Sequence, residues 1–269
     1  MRALKAPKAM NVHQHLAAFS ASPNSEISLQ DRLIVALDVE SVQQAEAIVE
    51  ELGDSVSFYK IGLQLQYASA NASDTISFTK SLVAQKKKVF LDSKIFDIAN
   101  TIERTVENIA RMDVDFLTVH GDRKIVEAAV KVSRQKLKIF AVTFLTTLDQ
   151  QDLRDMNIPL SVDQFVSHRV VVALEAGADG VISSGLEASL VKDVAFKRGR
   201  DLRVVTPGIR PPGSPPNDQR RVATPYNSIK AGADYLVVGR PILNAPDKGE
   251  AVQAIFADIR KALTDRLKA

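Results

Sequence analysis

Short β-rich runs recur along the chain, at residues 32–38, 56–62, 88–92, 115–120, 137–145, 179–183, 203–207 and 235–239. Most are continuously apolar instead of alternating, the pattern of strands covered on both faces. The segments between them carry apolar residues at helical spacing. Ser41 opens one, with Gln44 three residues on and Val42, Ala45, Ile48, Val49 and Leu52 along one face before Gly53 stops it. Ile98, Ile102, Val106 and Ile109 form a second stripe, and Ile125, Ala128, Ala129 and Val132 a third; the last runs through Val252, Ile255, Phe256, Ile259 and Leu263. Two junctions repeat: Glu175-Ala-Gly-Ala-Asp179 and Lys230-Ala-Gly-Ala-Asp234 each end a helix at glycine and lead at once into a strand. This alternation predicts an α/β fold, a single (β/α)8 barrel of the TIM type. An open doubly wound sheet is the competing architecture, but no Gly-x-Gly-x-x-Gly follows the first run.

The length of 269 residues suits one such barrel, which takes roughly 250 residues. There is no cysteine, which excludes disulfide frameworks, thiolate metal sites and cysteine nucleophiles. No apolar run approaches the roughly 18 residues of a membrane span, so no membrane partner is expected. The net charge of +3 comes from Arg2, Lys5 and Lys8, which precede the first acid, Glu26; the rest of the chain is balanced. A nucleic-acid partner is therefore not expected, because its binding face would sit on the folded domain. Residues 1–28 read as an N-terminal extension and 29–269 as the barrel domain. The extension loosely resembles an organelle transit peptide, and Met10 is an alternative initiator. A free-standing barrel of this size suits a bacterial cytoplasmic enzyme.

In a barrel the reactive side chains come from the C-terminal ends of the strands. Those ends here are Asp38, Lys60, Asp92 with Lys94, His120, Thr146, Ser183 with Ser184, Arg210, and Gly239 with Arg240. The densest stretch is Phe90-Leu-Asp-Ser-Lys-Ile-Phe-Asp-Ile-Ala-Asn-Thr101, which holds Asp92, Lys94 and Asp97 within six residues. Residues two apart on a strand share a face, so Asp92 and Lys94 point into the mouth together, where Lys60 joins them from the neighbouring strand. A helix cap would account for Asp97 alone. It would not account for the set, since apolar packing serves stability better than several buried charges.

The pattern Asp-x-Lys-x-x-Asp-Ile over 92–98 follows Leu33-Ile-Val-Ala-Leu-Asp38 and Tyr59-Lys-Ile-Gly62. It precedes Val142-Thr-Phe-Leu-Thr146, Thr206-Pro-Gly-Ile-Arg210, Asn217-Asp-Gln219 and Val237-Val-Gly-Arg240. This ordered set resembles the orotidine 5'-phosphate decarboxylase family, from residue 32 to 240. The resemblance implies a catalytic tetrad of Lys60, Asp92, Lys94 and Asp97. It implies a homodimer in which Asp97 and Thr101 reach into the partner subunit's site. Asp38 and Lys60 match groups that hold the ribose, Ile98 and Thr101 further substrate contacts, and Thr146 a contact near the pyrimidine. Arg210, Gln219 and the backbone at Gly239 and Arg240 match the phosphate grip, under a lid that the prolines of 211–216 lengthen or stiffen. No metal or organic cofactor is implied. Asn100 stands where some members have threonine.

Losing carbon dioxide from the pyrimidine ring of orotidine monophosphate leaves an in-plane carbanion with no electron sink. The site must therefore stabilise charge that exists only in the transition state. An ammonium at Lys94 does this and can then supply the replacing proton. The nearest alternative shares the Asp-x-Lys-x-x-Asp pattern: the magnesium-dependent 3-keto-gulonate-6-phosphate decarboxylases and hexulose-phosphate synthases. Those need an acid at the strand-2 position, where this chain has Lys60. A non-catalytic phosphate- or RNA-binding barrel is the remaining class, and the balanced domain speaks against it. His120 reads as a hydrogen-bonded structural residue, Ser183 and Ser184 as cap or lining, and Lys86-Lys-Lys88 as a solvated turn; His13, His15 and His168 make no metal cluster.

Overall fold

In the computed structural model the eight runs become eight parallel strands, each paired to the next and the last to the first. They are β1 Leu33–Ala36, β2 Phe58–Gly62, β3 Lys88–Ile95, β4 Phe116–His120, β5 Lys138–Val142, β6 Gly180–Ile182, β7 Arg203–Thr206 and β8 Tyr235–Val238. The structure describes residues 27–68, 71–133, 136–213 and 223–268, so the extension expected over 1–28 lies outside it except for Ile27 and Ser28. The described helices are α1 Val42–Leu52, α2 Leu63–Gln66, α3 Ala72–Ala84, α4 Ala99–Ala110, α5 Arg123–Val132, α6 Gln150–Asp155, α7 Val162–Glu175, α8 Ala188–Phe196, α9 Pro225–Ala231, α10 Arg240–Leu243 and α11 Lys248–Leu267. None of them is long and apolar enough to cross a membrane.

Strand alternation sorts the side chains into two cores. Leu33, Val35, Tyr59, Ile61, Leu117 and Val119 pack against the helices, whereas Ile34, Ala36, Phe58, Phe90, Phe116 and Phe140 point to the axis. Phe116 lies 4.4 Å from Phe140, 4.9 Å from Phe58 and 5.1 Å from Tyr235 between ring centroids. These rings fill the lower barrel, which is a packed core and no channel.

The helices start and stop for local reasons. Ser41 accepts from Gln44 N at 3.2 Å, while the Gln44 amide oxygen takes Glu40 N, one residue earlier than in a capping box. Asp149 and Ser161 make full capping boxes at α6 and α7. In the repeated Ala-Gly-Ala-Asp junctions the glycines take left-handed backbone, φ +83° at Gly177 and +117° at Gly232. The aspartates then tie neighbouring strands: Asp179 Oδ2 accepts from Ile139 N and Asp234 Oδ2 from Val204 N.

Three expectations need correction. The fifth strand ends at Val142, and Thr143 to Leu145 turn into the mouth loop instead. Ile98 does not join the buried stripe of α4: it precedes the first turn and is 72% exposed, while Ile102, Val106 and Ala110 are buried. Lys86-Lys-Lys88 is not a plain solvated turn, because Lys87 Nζ donates to the Gly53 and Val56 carbonyls and Lys88 pairs with Asp31.

Candidate active site

A cleft of about 550 Å³ opens at the C-terminal ends of the strands, a size suited to a small organic ligand. Its floor follows from register. Ala36, Lys60 and Phe90 are lateral neighbours on β1, β2 and β3, and Gly62 and Asp92 are neighbours one inward layer higher. The apolar core thus gives way to charge at the layer of Lys60. Lys60 Nζ lies 2.9 Å from Asp38 Oδ1 and 3.4 Å from Asp92 Oδ2, and Lys94 Nζ lies 2.8 Å from Asp92 Oδ1. The result is a row of alternating sign, Asp38–Lys60–Asp92–Lys94, with Lys60 buried and Lys94 partly open to the cleft.

The expected sharing of one face by Asp92 and Lys94 arises through a bulge. Pairing of β3 with β4 jumps from Leu91↔Leu117 to Ile95↔Val119, so residues 92–94 oppose Thr118 alone. Lys94 takes φ +45°, a left-handed backbone unusual for a side-chain-bearing residue. Its N–H donates to Thr118 Oγ1 at 2.9 Å, and that hydroxyl donates to Asp92 Oδ1 at 2.9 Å.

Burial opposes ionisation of Asp92, yet the ammonium groups of Lys60 and Lys94, with hydrogen bonds from Lys94 and Thr118, overcome it and hold the carboxyl below its ordinary value. Burial likewise opposes charge on Lys60, and the carboxylates of Asp92 and Asp38 outweigh it, raising the ammonium above its ordinary value. Three charges this close and this enclosed are costly for stability alone.

The remaining expected residues divide. Thr146, Arg210, Gly239 and Arg240 line the same cleft. Arg210 is 8% exposed, so it is buried in the cleft wall instead of standing at the surface, and its Nη1 donates to its neighbour's carbonyl at Ile209. Asp97, Ile98 and Thr101 do not line the cleft of their own chain: all three are exposed, with Asp97 Oδ1 accepting from Ile98 N at 2.7 Å. The four charges that meet therefore include Asp38 and leave Asp97 aside. Gln219, with the 214–216 part of the proline stretch, lies outside the described residues. Ser183 is buried and donates to Glu187, and His120 pairs with Asp122 at 2.7 Å.

Two residues of the site were not singled out from sequence. Thr118 sits in an apolar run and gains its partners only through the bulge. Gly62 carried a readable signal, an inward-facing glycine two residues after Lys60: a Cβ there would lie 2.7 Å from Lys60 Nζ and 2.9 Å from Asp38 Oδ1.

A closed (β/α)8 barrel with convergent charge at the C-terminal ends of its strands is the architecture of an enzyme. Residues 31–255 match the family model described as "Orotidine 5'-phosphate decarboxylase / HUMPS family". The chain is 43% identical over 245 residues to an orotidine 5'-phosphate decarboxylase of Nitrobacter winogradskyi, covering 91% of this chain and 98% of the relative. It is 47% identical over 238 residues to one of Methylococcus capsulatus, covering 88% and 95%. Among solved structures, an orotidine 5'-phosphate decarboxylase from Lactobacillus acidophilus superposes with a TM-score of 0.71 at 33% identity, over 84% of this chain and 98% of that one. The chain belongs to the orotidine 5'-phosphate decarboxylase / HUMPS family, and within it is a carboxy-lyase.

Proposed function

We propose that this enzyme converts orotidine 5'-monophosphate to uridine 5'-monophosphate and carbon dioxide, the last step of de novo pyrimidine synthesis. The observation that carries the reading is the row Lys60–Asp92–Lys94 at the cleft floor, with contacts of 3.4 and 2.8 Å. Lys60 also separates this chain from the magnesium-dependent branch, since an ammonium at the strand-2 position repels a cation.

On this reading the bond from C6 to the carboxylate breaks, its electron pair stays on C6, and carbon dioxide leaves. The Lys94 ammonium stabilises that pair and gives C6 its proton. Asp92 orients Lys94 and faces the departing carboxylate; at ~4 Å and an effective dielectric of ~20 the repulsion is roughly 4 kcal/mol. Lys60 and Asp38 hold the ribose, and Thr146 lies by the pyrimidine. Arg210, Gln219 and the backbone at Gly239 and Arg240 grip the phosphate, whose binding energy closes the lid over the ring. Asp97 of the partner subunit completes the tetrad, with Ile98 and Thr101 as further contacts from that side. The catalytic unit spans 29–269, works as a homodimer in the cytoplasm, and uses no metal or organic cofactor.

The test is loss of orotidine monophosphate ultraviolet absorbance on adding the purified protein, with and without EDTA. Turnover at the same rate in both is expected. Absent turnover, or turnover abolished by EDTA, would instead point to the sugar-phosphate branch.

A further inference from the structure

Thr118 lies on β4 one inward layer above Phe116, and its side chain is completely buried. Its hydroxyl joins the two charged residues of the bulge, accepting from Lys94 N and donating to Asp92 Oδ1, both at 2.9 Å. Across this stretch β3 advances four residues while β4 advances two. On its β4 side the backbone at 92–94 thus lacks the regular ladder, the β2 pairing ends at Gly62↔Asp92, and Lys94 stands at φ +45° with no Cβ-free residue to ease it. A hydroxyl can take the orphaned N–H on a lone pair and still give its own proton to a carboxylate. An isosteric methyl can do neither, and would leave the partly buried Lys94 N–H without this partner.

The second oxygen of Asp92 faces Lys60 at 3.4 Å while the first takes both Lys94 Nζ and Thr118. One hydroxyl therefore acts at once on the backbone that launches the Lys94 side chain and on the carboxylate that aims it. We propose that Thr118 is a positioning residue of the reaction, fixing the bulge so that the Lys94 ammonium and the Asp92 carboxylate face the cleft in register. The proposal rests on the decarboxylation reading above, because it takes Lys94 and Asp92 as the reacting pair.

The experiment compares the full-length wild type with Thr118→Val, Thr118→Ala and Thr118→Ser. It measures steady-state turnover of orotidine monophosphate, affinity for uridine monophosphate by calorimetry, and thermal midpoint. Loss of the hydroxyl misplaces the reacting groups without touching the phosphate grip. For Val and Ala, kcat should fall about 100-fold, the scale of a misplacement near 1 Å, with KM and product affinity unchanged. Thr118→Ser, which restores the hydroxyl, should recover most of the loss. Should the Val chain fail to fold, the Ala and Ser pair makes the same comparison. A wild-type kcat in the variant lacking the hydroxyl overturns the proposal, and so does a Ser variant as impaired as Ala. Wild-type protein inactive on orotidine monophosphate overturns the functional reading and this proposal with it, so the two failures are told apart.

Discussion

Lys94 owes its place to a carboxylate 2.8 Å away and to a backbone turned into the left-handed region. If its ammonium both stabilises the carbanion and protonates C6, removing it takes away two effects that exist only in the transition state. Lys94→Ala should then lower kcat by at least about 10⁴-fold, the upper end for a general acid alone, while uridine monophosphate still binds at the phosphate end. Near-normal turnover in that variant would remove Lys94 as the proton donor. Asp92 supplies a pH signature. Its carboxyl is lower in the folded chain than the ordinary value of about 3.9. A group lowered on folding contributes stability that is fully present above its unfolded value and disappears as pH falls through the folded one. The melting temperature of wild type should accordingly fall relative to Asp92→Asn as pH drops from about 5 to about 3. An offset between the two proteins that stays constant over that window would show that Lys60 and Lys94 do not hold the carboxylate ionised.

At the scale of elements, the sequence was legible wherever one local rule decided the outcome. Continuous apolar runs marked the eight strands, since each is covered by helices outside and by the axial core inside. Listing the residues at the ends of those runs found Asp38, Lys60, Asp92, Lys94, Thr146, Arg210, Gly239 and Arg240, all of which line one cleft. What could not be read depended on a second element. The bulge in β3 exists relative to β4, so neither the left-handed Lys94 nor the use of Thr118 is visible in either strand alone. The early end of β5 and the anchoring of Lys87 on the Gly53 and Val56 carbonyls are tertiary in the same way. Gly62 belongs to β2 as a steric requirement. A methyl group there meets the far ends of Lys60 and Asp38, and Lys60 has little room to retreat. Gly62→Ala should fold, with the overpacking costing about 1–3 kcal/mol. The displaced pair should lower kcat/KM by roughly 10- to 100-fold, read together from a thermal melt and a progress curve. Unchanged kinetics would mean that the exact seat of the Lys60–Asp38 pair is immaterial.

The whole molecule raises the question of where Asp97 acts. Its carboxylate is exposed on the loop between β3 and α4, outside the cleft that Asp92 and Lys94 share, and it is flanked by Phe96 at 68% and Ile98 at 72% exposure. Two large apolar side chains beside an acid form a surface that water does not favour and that a second copy would cover. In the proposed two-fold dimer each such loop would reach the mouth of the other barrel, so the acid missing from one cleft would come from the partner. This arrangement makes an arithmetic prediction that a self-contained site does not. Lys94→Ala and Asp97→Asn are each expected to be nearly inactive as homodimers. In a mixed dimer one cleft carries both defects. The other joins an intact Lys94 to an intact Asp97 from across the interface. With random subunit exchange half of the dimers are mixed, so an equimolar mixture should regain about one quarter of the wild-type activity per subunit. Activity that stays at the level of the separate variants after exchange, verified by mass measurement of the mixed species, would confine Asp97 to its own chain and leave it its local hydrogen bond from Ile98 N.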